Sequence, residues 1–416
     1  MNILLIAPYS YPIFCPENNV NSKFVKALTN LGYHVDLVSA LFYDDPTSYP
    51  VSEGKYFFSD VASLHCLKIR NPKNRLEDIR ETLRFTLRTR ILWHHAVAWA
   101  NDALKQCERL IAERHYDYVM TKNAPSEVMG CYLSRKYGIK WISTWNDPFP
   151  LECFPPPYGI GYDHRLSLVS RLFLPKANRQ AYMNFFPSVY LRDYMLAYMK
   201  IPMERTAVIP HIVMESMVEP KVSEPHGTLR ILHSGSTGRE RNPKTLLQGL
   251  RMFLTSHPDA DVELTFLGTE LNVTAENSLD HYVAEYGLQE KIKRIKPVPY
   301  ERSLSIIAEY DLCMILEANC EVGIFMPTKV TDYAQCGKPI WAVSPAIGTL
   351  NDYYRRGEID YFSDVTSAES VKVALEKVYS DFKAQGMLAA RCPHSILSGT
   401  VQAQLKEILE SGLRQS

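Results

Sequence analysis

The chain has 416 residues, 46 Lys and Arg balanced by 46 Asp and Glu, and nine scattered Cys. Balanced charge excludes a global pull toward nucleic acid or an anionic surface, so any basic patch must be local. An odd number of cysteines without a C-x-x-C pair argues against a disulfide framework or a thiolate metal site and fits reduced thiols in a cytosol.

The length exceeds what one core usually supports and predicts two domains of roughly 200 residues each. Met1-Asn2 leads straight into the apolar run Ile3 to Ala7 without a basic leader. No apolar run approaches the ~18 residues of a membrane span, so the expectation is a cytoplasmic protein with at most a peripheral membrane contact.

Ile3 to Ala7 predicts a buried parallel strand. A helix follows, with Asn18 or Asn19 as its N-cap and Val20, Phe24, Leu28 and Leu31 at helical spacing before Gly32; Val35 to Val38 is the second strand. This βαβ opening lacks G-x-G-x-x-G, which argues against a nicotinamide or flavin cofactor. Between Lys68 and Trp99, arginines interleave with Leu, Ile, Phe and Trp, the composition of a helix lying on anionic lipid or of one that packs on a domain.

Further strands are expected at Tyr116 to Met120, Trp141 to Thr144, Phe185-Phe186 and Ala207 to Ile209. Their alternation with helical patterns predicts a parallel α/β sheet. Asn123 and the pair Asn146-Asp147 fall at carboxyl ends of these strands, the edge that faces ligand, although Asp147-Pro148 also fits simple turn initiation. Pro155 to Pro157 and the Gly-Ile-Gly after them form an irregular loop, and His211 to Gly227 an interdomain linker.

A second βαβ series opens with the strand Leu229 to His233, the turn Ser234 to Arg241, and a helix with Asn242 as N-cap and Pro243 at its first position. Gly235, Ser236, Arg239, Arg241 and Lys244 make this turn a candidate anion site, because exposed backbone N–H groups and cations converge there. Val262 to Leu267, Ile292 to Pro299 and the helix Tyr300 to Ala308 lead to Leu312 to Leu316, a Gly-bearing loop, a helix opened by Pro327 and closed by Gly337, and the strand Pro339 to Val343. Lys329 in the first turn of that helix, with Asp332 three residues on, suits a phosphate and a sugar hydroxyl; an ordinary exposed ion pair is the alternative. Val401 to Leu413 predicts a closing helix.

The run P-T-K-V-T-D-Y-A-Q-C-G-K-P-I resembles the donor-site helix of retaining, family-four-type glycosyltransferases of the GT-B fold, the bacterial surface-polysaccharide type. Arg230 to Leu250, Tyr300 to Leu316 with Pro299 before it, and Trp141 to Phe149 resemble other segments of that family. The resemblance implies an α/β protein of two Rossmann-like domains facing a central cleft: 1–212 for the acceptor, 213–390 for the nucleotide-sugar donor, and a closing helix in 391–416. It implies sugar transfer from a nucleotide diphospho-sugar to a glycan or lipid-linked acceptor, as in polysaccharide or lipopolysaccharide synthesis, with the diphosphate held by cations and without a required metal or other cofactor.

Carried over by position, Arg241 and Lys329 take the diphosphate and Asp332 the ribose. The paired Glu of the family falls on Ile324, so Glu317 or Glu321 would have to act, with Asp147 the third catalytic candidate. Asn18, Asn19, Asn123 and Asn146 are the acceptor-side candidates. The expected partners are a nucleotide-sugar donor, a glycan or lipid-linked acceptor and, through 68–99, an anionic membrane; no nucleic acid is expected. Alternatives on the same fold are a sugar-nucleotide epimerase and a partner protein that has lost catalysis.

Overall fold

The computed structural model describes residues 1–41, 50–70, 72–162, 171, 173, 179–214 and 227–414. The chain divides into two compact units: Met1–Phe154 with Tyr162–Ile212 and Ser398–Ser416, and Pro155–Gly161 with Val213–Leu397. Of the segment expected to link two domains, 215–226 lies outside the described residues.

The first unit is built on a seven-stranded parallel sheet of order β3-β2-β1-β4-β5-β6-β7. Its strands are β1 (Asn2–Ile6), β2 (His34–Leu41), β3 (Ser63–Lys68), β4 (Tyr118–Lys122), β5 (Lys140–Thr144), β6 (Met183–Phe186) and β7 (Thr206–Val208). The strand expected from Tyr116 starts at Tyr118 and runs on to Lys122. β3 is an unexpected edge strand: only half-buried, Ser-Leu-His-Cys-Leu-Lys lacks the continuous apolar run that marks its neighbours.

The first helix spans Pro16–Asn30 with Cys15 as N-cap. Asn18 and Asn19 are therefore not caps but buried residues of the first turn, because Pro16 has the backbone angle that opens a helix and needs no N–H partner there. The basic stretch 68–99 resolves into the helix Arg75–Thr89, capped by Asn74, an irregular turn, and the start of the helix Val97–Glu113. Residue 71 of that stretch lies outside the described residues.

The terminal helix Ser398–Arg414 belongs to this first unit and buries Val401, Leu405 and Leu409. Tyr118 donates its hydroxyl proton to Leu409 O at 2.8 Å, and Gln404 donates to Val208 O at 2.9 Å.

The second unit has a six-stranded parallel sheet of order β12-β10-β8-β13-β14-β15. These are β8 (Leu229–Ser234), β10 (Val262–Leu267), β12 (Ile292–Ile295), β13 (Leu312–Leu316), β14 (Ile340–Ser344) and β15 (Tyr361–Asp364). A separate two-strand ladder, β9 (Thr237–Gly238) with β11 (Glu270–Leu271), pins the turn after β8. Alternate residues of β8 feed two cores: Leu229 and Ile231 meet Leu246, Leu247, Leu250 and Phe253 of the helix Lys244–Ser256, and Leu232 packs with Val330 and Tyr333 of the helix Thr328–Gln335.

Both sheets change direction once, between β1 and β4 and between β8 and β13. Crevices at such switch points, beyond the carboxyl ends of the strands, are where open α/β sheets bind ligands.

Candidate functional site

At the switch point of the second unit, β8 ends in Ser234 and a turn whose Gly235 and Gly238 both have φ of +139°. The backbone N–H of Ser234 donates to the Tyr333 hydroxyl at 2.8 Å, which in turn donates to Met314 O at 3.1 Å. One buried phenol thus ties the turn, β13 and the helix Thr328–Gln335 together. Lys329 projects from the first turn of that helix across the glycine turn, where a Cβ on Gly235 would strike its terminal methylene. The φ of +139° favours glycine at 235, and the Lys329 tail occupies the space beside it.

Arg241 completes the group. Its Nη1 lies 3.5 Å from Ser236 Oγ, its Nε 3.7 Å from Glu317 Oε1, and its guanidinium 5.6 Å from the centre of the Tyr158 ring. Tyr158 meets Phe325 edge to face at 5.4 Å. Asp332 accepts a hydrogen bond from the Tyr300 hydroxyl at 2.8 Å, which fixes its carboxylate.

Two cations share this crevice with one buried carboxylate, Glu317. Burial, reinforced by the Arg241 charge, pulls the Lys329 ammonium down to about 8 against the opposing pull of Glu317 and Asp332. Burial and then the Lys329 charge pull the His233 imidazole down to about 3, so His233 is neutral at physiological pH. Cations held together at such cost mark a candidate anion site. Since Lys329 loses its proton as pH rises through about 8, the affinity for a nucleoside diphosphate is expected to fall between about pH 7 and about pH 9. Lys329→Arg should flatten that profile in a calorimetric titration series.

Of the residues expected here, Gly235, Ser236, Arg241, Lys329 and Glu317 come together, and Asp332 sits one turn beyond Lys329. Glu321 is exposed, as are Arg239 and Lys244. The ladder of β9 with β11 draws Arg239 N to Leu271 O at 3.1 Å. The helix starts at Lys244, one residue later than expected, so Pro243 and not Asn242 is the N-cap; Asn242, one residue before it, accepts from Lys244 N through its Oδ1 at 2.9 Å. His233, Tyr333, Tyr158 and Tyr300 are additions from the geometry.

The first unit has a polar cluster at its own switch point. Asn146 Nδ2 donates to Glu17 Oε1 at 2.6 Å and to Asn21 Oδ1 at 3.1 Å, while Asn21 Nδ2 lies 3.3 Å from Glu17 Oε1 and 3.5 Å from Asn123 Oδ1. Asn123 holds the left-handed conformation with φ of +66°, and Asp147 beside Asn146 is half-buried. Asn18 turns away to accept from Cys15 Sγ at 2.9 Å, and Asn19 is buried next to it. Glu17 and Asn21 are additions here, one helical turn apart. Beneath them, burial pulls Lys122 down to about 8 and pushes Glu127 up to about 8. Among the described residues, no three His, Cys, Asp or Glu side chains are grouped to hold a metal ion.

No family model matches the chain. A D-inositol 3-phosphate glycosyltransferase of Pseudarthrobacter chlorophenolicus is 24% identical over 155 residues, 37% of this chain and 35% of that protein. One of Paenarthrobacter aurescens is 24% identical over 166 residues, 39% of each chain. The chain thus spans little more than a third of the length of these curated relatives.

Among solved structures, HepE of Anabaena with UDP and glucose has a TM-score of 0.66 at 13% identity, covering 99% of this chain and 100% of that one. Sucrose-phosphate synthase of Thermosynechococcus elongatus has a TM-score of 0.67 at 14% identity over 100% of both chains. The lipopolysaccharide outer core galactosyltransferase WaaB has a TM-score of 0.58 at 11% identity over 99% of both. With two doubly wound parallel sheets, each turning at a single switch point, and alignment over nearly the whole length to these enzymes, the chain has the GT-B fold.

Proposed function

We propose that the protein is a glycosyltransferase that moves a sugar, with retention, from a nucleotide diphospho-sugar to a glycan or lipid-linked acceptor in cell-surface glycan synthesis at the cytoplasmic face of the membrane. The observation that carries the reading is the pair Arg241 and Lys329 converging on the Gly235 turn at the switch point of the second sheet. Charge grows on the diphosphate as the glycosidic bond breaks, and cations already half-buried at the turn stabilise that charge with little reorganisation.

Glu317 is a positioning residue that holds the Arg241 guanidinium. Asp332, oriented by Tyr300, takes the ribose hydroxyls. Glu17, Asn21, Asn123 and Asn146 offer the amides and carboxylate that read sugar hydroxyls on the acceptor, with Asp147 beside them. HepE is solved with UDP-glucose, which makes uridine sugars the first donors to try.

The test is incubation with uridine and guanosine diphospho-sugars and oligosaccharide acceptors, followed by mass spectrometry and proton NMR of the anomeric signal. A sugar-extended acceptor that keeps the donor's anomeric configuration is expected. An isomerised donor with nothing transferred points to an epimerase and overturns the reading, as does tight donor binding without any turnover.

A further inference from the structure

The helix Arg75–Thr89 turns one side into the first unit and leaves an aliphatic stripe on the other. Phe85, with Glu81 and Thr89 one turn to either side, is buried in the first unit. On the opposite side, Leu76, Ile79, Leu83 and Leu87 recur at steps of three and four residues and are 79%, 45%, 56% and 65% exposed. Aligned large aliphatic side chains on one face of a helix about 22 Å long are not the scattered apolar exposure of ordinary surfaces. Leu92, two residues past the arginine that ends the helix, is also exposed.

The charges are sorted around this stripe. Arg80 and Arg84 border it on one side, Arg75 on the other, and Arg90 ends it; all four are exposed. Arg75, Arg84 and Arg90 make no ion pair among the described residues. Arg80 Nη2 lies 3.7 Å from Glu77 Oε1 and 3.9 Å from Glu81 Oε1. Glu77 also accepts from the backbone of Lys73, and Glu81 is buried and accepts from Asn101; Asp78 is exposed but falls on the far side of the helix from the stripe. No helix among the described residues is long and apolar enough to cross a membrane.

We infer that this face is a membrane-docking surface: the stripe Leu76, Ile79, Leu83 and Leu87 enters the interface of an anionic bilayer while Arg75, Arg80, Arg84 and Arg90 meet lipid headgroups. An aliphatic stripe whose exposed rim is mainly arginine, with Arg75, Arg84 and Arg90 not in ion pairs among the described residues, fits that occupant better than a neutral protein groove, because apolar burial and headgroup charge act on it together. The inference deepens the membrane location proposed above, and its test is independent of sugar transfer because it requires neither donor nor acceptor.

Co-sedimentation of the full chain with vesicles tests it, using phosphatidylcholine alone and phosphatidylcholine with about one-third phosphatidylglycerol. The chain is expected to partition onto the anionic vesicles, to be released by salt, and to bind the neutral ones weakly. Leu83→Glu with Leu87→Glu should lower partitioning about tenfold or more, and Arg80→Gln and Arg84→Gln about fivefold each. Leu83, Leu87 and Arg84 are exposed and Arg84 makes no ion pair among the described residues, so the melting temperature of those variants should not move; Arg80 neighbours the buried Glu81 at 3.9 Å, so its variant is compared at a temperature well below its own melting point.

Wild-type protein that stays in the supernatant with anionic vesicles at low salt would overturn the inference. So would double-Glu protein that binds like wild type, or a concentration-dependent dimer that Leu83→Glu dissociates, since the stripe would then be an interface between copies.

Discussion

Arg241→Ala and Lys329→Ala are each expected to weaken binding of a nucleoside diphosphate by about thirtyfold to a hundredfold, measured by isothermal titration near neutral pH. Each replacement removes a charge-assisted contact made by a half-buried cation. It also leaves the other cation without the partner that shares the diphosphate. The losses should not add: Arg241 depresses the Lys329 ammonium through its charge, so either single change alters the group that remains. Lys244→Ala, on an exposed side chain of the neighbouring helix, should change affinity less than about threefold.

Stability should move the other way. Below the depressed value of about 8, Lys329 is charged in both folded and unfolded chains, and its burial opposes folding in full; the opposition lifts only as pH rises above that value. Lys329→Met is therefore expected to raise the melting temperature of ligand-free protein at neutral pH while abolishing tight nucleotide binding. That opposition between stability and affinity is the mark of a binding residue.

Gly348→Ala should be strongly damaging to the second unit, lowering stability by about 3 kcal/mol or more in a denaturant titration. Gly348 has φ of +150°, and a Cβ there would lie 2.5 Å from Gly323 O and 2.7 Å from Gly323 N. The obstacle is backbone, so no side chain can turn aside. The two glycines form a parallel bridge, with Gly323 N donating to Ile347 O at 2.8 Å and Thr349 N donating to Gly323 O at 2.9 Å.

That bridge fixes the loop between Glu317 and Pro327, so nucleotide affinity should fall with stability. Gly323→Ala is the control. Its Cβ would meet nothing nearer than 3.6 Å, and the change should cost less than about 1 kcal/mol.

The buried strands of both sheets were legible because runs such as Ile3 to Ala7 and Leu312 to Leu316 are apolar throughout, as parallel strands covered on both faces must be. The glycine turn before Arg241 was legible for a local reason too, since Gly, Pro and cations mark a strand entering a helix within ten residues. Partners far apart in the chain were not. Nothing near Glu17 announces Asn146, 129 positions away, and the choice between Glu317 and Glu321 depends on which one a loop turns toward Arg241.

His233 hid for a different reason. It stands at the end of an apolar run, where its burial and its Nδ1 contact with Met314 O at 3.1 Å come from a strand eighty-one residues on. The amphipathic stretch at 68–99 was visible as composition. Which of its apolar residues lie inward was decided only by the packing of Phe85 into the first unit.

The central claim is that the second unit binds a nucleotide diphospho-sugar whose bond to the diphosphate the protein breaks. Release of free nucleoside diphosphate from a panel of nucleotide sugars, followed by chromatography with and without oligosaccharide acceptors, tests it most directly. The account predicts release from at least one donor, accelerated by an acceptor and lost in Arg241→Ala and Lys329→Ala. Release that is unchanged in both variants, or no release from any donor under conditions where the wild-type protein binds nucleotide, would contradict it.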